Sequence, residues 1–273
     1  MNPILVATDF SAIADNAVKY AVELAKIMNT SITLFHVFHI PVMASDSPLV
    51  LPISINELEK DSLDLLKNLR TDIINTTTNL QVDIETQGGF ANDEIIKMSK
   101  RSTYELIVMG IMGRGKSSPL FGSTATSVAV NATTPVLIIP LETSFKKPEK
   151  IVFAFDFQEI KEPRHMNILL TLAKFFDAKV HVLNIVEKIR KEHIEQTLAG
   201  MQVDDILYNT RHTISTQTNE DTIQGIEDYL KKNESELLVM IKRRHGFFDW
   251  LLHNSHTRKM AFHTSIPLLI LHD

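Results

Sequence analysis

The chain sets out one pattern twice, and that duplication limits its fold more than any other feature. Ile151-Val152-Phe153-Ala154-Phe155-Asp156-Phe157 repeats Ile4-Leu5-Val6-Ala7-Thr8-Asp9-Phe10. Ala173 to Ile185 repeats Ala25 to Val37, Glu236 to Met240 repeats Glu105 to Met109, and Pro267 to Leu271 repeats Pro135 to Ile139. The copies are 147 residues apart at Ile4 and Ile151 and 131 apart at Glu105 and Glu236, so the second is about sixteen residues shorter. A repeat of domain size points to duplication of a whole folding unit. The length, 273 residues, is about twice the common domain size. Thr143 to Glu149 (TSFKKPE) is polar with one proline and is expected to be a linker, giving domains 1–142 and 149–273.

Each unit alternates two hydrophobic periods. In the first, short apolar runs are predicted as strands at 4–7, 31–38, 80–86, 106–109 and 135–140. Apolar residues spaced by three and four predict helices at 12–28, 55–75, 92–100 and up to Ala132, with Ser11 as N-cap of the first. Gly110 is expected to end the fourth strand, and the prolines bracketing the fifth suit an edge or a strand end. Residues 39–52, with Pro41, Pro48 and Pro52, read as a long loop. Strands alternating with helices imply a parallel sheet covered on both faces. Ligands on such sheets bind beyond the carboxyl ends of the strands. Asp9, the residues after Phe38 and the Gly110–Gly122 segment all stand at such ends.

The last of these is the stretch richest in chemistry. Leu106-Ile107-Val108-Met109 is followed by Gly110, Gly113, Gly122-Ser123 and a small-residue helical pattern. Glycine lets backbone approach an anion closely, and the first N–H groups of a helix point at it. The same layout also serves as an ordinary β–α turn.

Composition narrows the functions further. The net charge of −5 argues against a broad nucleic-acid footprint. With no cysteine there is no disulfide, thiolate metal site or cysteine nucleophile. The opening MNPILVATDF has neither a basic n-region nor a long apolar h-region, so a cytoplasmic protein with no membrane partner is expected. No P-loop GxxxxGK[ST] motif and no Ser/His/Asp constellation stands out, and no catalytic residue or metal ligand is assigned.

The chain resembles the universal stress protein family, as a tandem of two such domains. The resemblance rests on the strand ending in Thr8-Asp9-Phe10-Ser11, on Phe35-His36-Val37, on Glu105 to Gly110 and on the glycine-rich loop. It implies an α/β fold of two open parallel five-stranded sheets in the order 3-2-1-4-5, with helices on both faces. It implies ATP or a related adenine nucleotide, with or without magnesium, and dimerisation through the last strands. Val136–Ile139 and Leu268–Leu271 are then expected to cover each other within one chain, with a homodimer beyond that left open. By position, Asp9 matches the first-strand acid near the nucleoside, and Thr8 beside it is counted with the cofactor-binding residues. Val37 matches the residue whose backbone meets adenine, and Gly110, Gly113, Gly122, Ser123 and Thr124 match the phosphate and ribose loop. The family's nucleotide-binding subgroup carries Gly-x2-Gly-x9-Gly-(Ser/Thr), whereas here the long spacer has eight residues. In the second unit Ile241 and Arg244 stand at Gly110 and Gly113, and Asn254-Ser255 at Gly122-Ser123. That unit reads as a degenerate copy. Three functions remain open: a nucleotide-binding regulatory protein, a slow ATP hydrolase, and a dimerisation module with vestigial pockets.

Single residues carry paired readings. Asp9 is a ligand acid or a turn acid, and Ser123 a phosphate contact, a helix cap or both. Arg114 and Lys116 neutralise phosphate or face solvent. Lys242-Arg243-Arg244-His245 binds an anion or forms a solvated face, the latter being expected. His36 and His39 read as strand-end residues. His253, His256 and His263 lack a carboxylate at ligand spacing and are not read as a metal set. Trp250, Phe247 and Phe248 are expected to fill the second unit's cleft.

Overall fold

The computed structural model describes residues 2–40, 54–101, 103–111, 123–187, 194–243 and 265–273. The first unit runs β1 (Ile4–Ala7), α1 (Ala12–Met28), β2 (Ile32–Phe38), α2 (Ile55–Thr76), β3 (Val82–Gly88), α3 (Ala91–Ser99), β4 (Leu106–Ile111), α4 (Ser123–Asn131) and β5 (Val136–Pro140). The second runs β6 (Lys150–Ala154), a 3-10 turn (Pro163–Met166), α5 (Asn167–Phe176), β7 (Lys179–Val186), α6 (Ile194–Ile206), β8 (His212–Thr218), α7 (Thr222–Asn233), β9 (Leu237–Lys242) and β10 (Leu268–His272). The strands form one ten-stranded sheet, β3-β2-β1-β4-β5-β10-β9-β6-β7-β8. Each half contributes the order 3-2-1-4-5 with parallel neighbours.

The halves join where β5 and β10 pair antiparallel, Leu268 with Ile138, Leu269 with Leu137 and Ile270 with Val136. Matching Pro135 to Pro267 makes Leu137 and Leu269 equivalent residues, and these face each other. That self-pairing is the signature of a two-fold relation. β5 is therefore central rather than an edge. Its prolines are tolerated because Pro135 and Pro140 fall outside the paired segment 136–138, where no N–H is needed for the antiparallel ladder.

The central strands are covered on both faces, whereas the outer strands β3 and β8 are largely open to solvent. Ile4 and Val6 of β1 share an apolar cluster with Ala17, Ala21 and Leu24 of α1. Leu5 and Ala7 face the other way, toward Ile95 of α3 and Val128 of α4. α5 and α6 lie on the α1 face and α7 on the α3/α4 face, as the two-fold relation requires. Each fully buried aliphatic side chain contributes roughly 1.5–3 kcal/mol, and all four residues of β1 are buried.

α1 begins at Ala12 because Ser11 Oγ accepts the Ala14 N–H at 3.3 Å, and it ends at Asn29 in the left-handed conformation (φ 48). β4 runs through Gly110 to Ile111, so glycine does not end it; Gly110 and Ile111 pair with Ile139 and Pro140. β3 starts two residues later than expected and extends to Gly88. The Thr143–Glu149 stretch is docked rather than free. Phe145 packs edge-on against Tyr20 of α1 at 4.9 Å, and Glu236 binds Lys146 Nζ at 2.6 Å and the Glu149 N–H at 2.6 Å. Among the described residues no helix is long and apolar enough to cross a membrane.

Candidate functional site

The turn after β1 is tightly held. Phe10 takes a left-handed φ of 60, a conformation that costs a bulky residue of order 1–3 kcal/mol. Its N–H donates to Thr8 Oγ1 at 3.1 Å, and its ring lies 4.6 Å from that of His36. His36 Nδ1 in turn donates to the Thr8 carbonyl at 2.8 Å. Asp9 Oδ1 accepts from Ser11 N–H at 3.0 Å and from Ser11 Oγ–H at 2.6 Å. Phe157, the counterpart of Phe10, has φ 51, so both halves carry the same strained turn. Strain of this kind persists only where neighbours over-determine it, and it gathers at functional sites. Sequence reading missed it, although the doubled Asp-Phe was the available signal.

Beyond this turn lies a cleft of about 220 Å³ at the carboxyl ends of β1, β2 and β4. Thr8, Asp9, Val37, Gly110 and Thr124 line it. Ser123 opens α4 and is exposed, just outside the lining. Gly113, Gly122, Arg114 and Lys116 lie outside the described residues. His36 lines the cleft within β2, whereas His39 follows the strand and its ring stands 6.2 Å from that of Phe90.

Three helices begin at this cleft. Ser11 precedes α1, Ala91 opens α3, and Thr124 and Ala125 lie in the first turn of α4. Their dipoles aim partial positive charge at the cleft, while Ser11 Oγ caps α1 and Asp15, Asp93 and Glu94 stand in the first turns of α1 and α3. On the opposite wall the β1–β2 ladder stops at Ala7 and Phe35, after which Thr8 N–H donates to Phe35 O at 2.9 Å. Phe38 O accepts Gly89 N–H, so even-numbered residues here face β3. Backbone groups alternate sides along a strand. The N–H and C=O of Val37 therefore face the side on which β1 has ended.

Gly110 has a packing role of its own. A Cβ there would lie 2.5 Å from the Ile13 carbonyl oxygen and 2.7 Å from Ile13 Cγ2. The strand and the first turn of α1 approach each other too closely for any side chain. In the second half, regular helix α5 starts only at Asn167, after the 3-10 turn. Ile241, at the glycine's place, is buried in the same apolar cluster as Phe155, Ile160 and Met166. The late start of the helix leaves room for its side chain.

The second half keeps a cleft of about 210 Å³, lined by Asp156, Asn184, Ile185, Thr222 and Ile241. Its acid is engaged differently. Arg243 is buried, with Nη1 2.7 Å from Asp156 Oδ1 and Nε 3.2 Å from Asp273 Oδ2. Its guanidinium also lies 5.1 Å from the Phe155 ring centroid. The solvated face expected for the 242–245 cluster fails at Arg243, because two carboxylates and an aromatic face replace its water. Position after an apolar strand, opposite the repeated Asp156, was the only sequence hint. Arg244, His245, Phe247, Phe248, Trp250, His253, Asn254, Ser255, His256 and His263 lie outside the described residues.

The model of the universal stress protein family matches residues 1–140. The chain belongs to the universal stress protein family. A universal stress protein of Methanocaldococcus jannaschii is 30% identical over 155 residues, covering 54% of this chain and 83% of that protein. One of Bacillus subtilis is 29% identical over 147 residues, or 50% of this chain and 98% of the relative. Among solved structures, a universal stress protein from Archaeoglobus fulgidus aligns with a TM-score of 0.75 at 18% identity, covering 98% of this chain and 97% of that chain. At that identity the likeness speaks for the fold alone, and it spans both halves. Within a universal stress protein frame, the Arg243–Asp156 pair distinguishes this chain's two halves.

Proposed function

We propose that the first-half cleft binds an adenine nucleotide, ATP foremost, and that the protein acts as a regulatory nucleotide binder. The observation that carries this reading is the meeting of three helix N-termini with the free strand edge at Val37. Helix N-termini suit phosphate. The Val37 C=O and N–H match the amino donor and ring-nitrogen acceptor on the edge of adenine. Asp9 stands at the strand end between them, in reach of a ribose hydroxyl. The sequence from Gly110 to Ser123 carries glycines of the kind that let backbone approach phosphate closely.

The same reading divides the chain into domains 1–142 and 149–273 and treats it as an intramolecular pseudo-dimer built on the β5–β10 ladder. The second domain is a scaffold whose acid is already neutralised by Arg243.

Calorimetry with ATP and magnesium tests the proposal. We expect one nucleotide per chain, and about tenfold or greater loss of affinity in Val37→Pro, which deletes the N–H without disturbing the β3-facing residues 36 and 38. Absence of binding at millimolar ATP would overturn the reading, as would two equal sites per chain. Turnover of ATP with magnesium would favour the hydrolase alternative.

A further inference from the structure

The helix that opens onto the first-half cleft is finished by the other half of the chain. A helix leaves its last carbonyls without intrahelical partners. In α4, Val128 O accepts the Ala132 N–H at 2.9 Å and Ser127 O accepts Asn131 Nδ2 at 2.9 Å. The next carbonyl, Ala129 O, would ordinarily receive the Thr133 N–H. That donor is diverted to Ser99 Oγ at 3.1 Å, and both Thr133 Oγ1 and Thr134 Oγ1 bind Ser99 O. The group that replaces it is His272 Nε2, 2.9 Å from Ala129 O. A carbonyl only accepts, so Nε2 carries the hydrogen. Nδ1 is then a bare acceptor, buried and without a partner among the described residues. Burial pushes the imidazole pKa down to about 4, consistent with a neutral ring whose geometry is set by this one bond.

The arrangement is one-sided. His272 lies at the end of β10, and matching Pro135 to Pro267 places it at the position of Pro140. Proline has no side-chain donor, so the first half cannot return the contact. The donated hydrogen bond serves the half that carries Gly110 and the first of the two clefts. α4 is nine residues long, with Thr124 and Ala125 in the cleft at one end and Ala129 near the other. It spans roughly 13 Å as a rigid rod, so freedom at its carboxyl end becomes freedom at the cleft.

We propose that His272 is a positioning residue for the first-half site: from the second half it closes the carboxyl end of α4 and so fixes where Thr124 and Ala125 stand. This rests on the nucleotide reading of that cleft. The second half thereby acts on ligand affinity without touching the ligand.

The test uses the full chain as wild type, His272→Leu and His272→Gln, with two readouts. One is ATP affinity by calorimetry with magnesium; the other is amide hydrogen exchange across residues 124–132. Losing one buried donor should weaken ATP binding and speed exchange in α4 by about tenfold each in His272→Leu. Glutamine keeps an N–H within reach of Ala129 and should restore both to within about threefold of wild type. Where the leucine variant fails to fold, His272→Asn, polar but too short to reach, replaces it. Wild-type exchange in α4 of the leucine or asparagine variant would overturn the proposal, and so would a glutamine variant as impaired as leucine. If the wild type takes up no ATP, the nucleotide reading falls, and exchange in α4 alone decides the role of His272.

Discussion

Gly110→Ala puts the packing at the base of the cleft to a quantitative test. Gly110 is not in the left-handed region, so alanine meets no backbone penalty there. The whole cost is steric. The new Cβ would sit 2.5 Å from Ile13 O, 2.7 Å from Ile13 Cγ2 and 2.9 Å from the Ile13 carbonyl carbon. Comfortable contacts between such atoms are about 3.5 Å, so the first turn of α1 must retreat by up to about 1 Å. Two of the three atoms are backbone, and they cannot swing aside as a side-chain tip would. Overpacking typically costs 1–3 kcal/mol, and the rigid neighbour places this case near about 3 kcal/mol. Removing a glycine restricts the unfolded chain and returns about 0.4–1 kcal/mol. The net loss is about 2 kcal/mol, a fall in Tm of roughly 4–8 °C for a chain of this size. Urea titrations of wild type and Gly110→Ala, compared at equal m, measure the free energy, and scanning calorimetry the Tm. ATP affinity should fall with stability, because Ser11 and Ile13 belong to both the displaced turn and the cleft. A variant as stable as the wild type would refute the argument that close approach, rather than ligand chemistry alone, requires glycine here.

Arg243→Met should destabilise the protein by about 3 kcal/mol, since it leaves the Asp273 carboxylate, 1% exposed, without its cation. A urea midpoint unchanged from wild type would count against the pairing. His272 sets a pH dependence. Its folded pKa is lowered to about 4 from the ordinary 6.5, so between these values the unfolded chain binds more protons. Stability is therefore full above pH 6.5 and falls with acidification toward pH 4, by on the order of 2 kcal/mol at pH 5. His272→Gln should flatten that part of the urea-midpoint profile, and a slope equal to wild type would contradict it.

Much of the scaffold was legible from local pattern. Apolar spacing of three and four, closed by Ser11 and Asn29, set α1 to the residue, and short apolar runs marked the strands. The repeat announced two copies of one unit, and the motifs at Asp9, Val37 and Gly110 marked one end of the sheet. Such signals report which face of a segment is apolar and where a turn must fall. They do not report which distant segment will meet that face. Gly110 is glycine because of Ile13, nearly a hundred residues earlier. β5 is central because β10 of the other half pairs with it. Arg243 is buried because the repeat brings Asp156 alongside and β10 delivers Asp273. Ala129 is capped by a histidine on β10 of the other half because Ser99 has taken the local donor. Each of these was decided only when packing chose the neighbours, since a hydrogen bond or a steric limit belongs to a pair of atoms and not to either sequence alone.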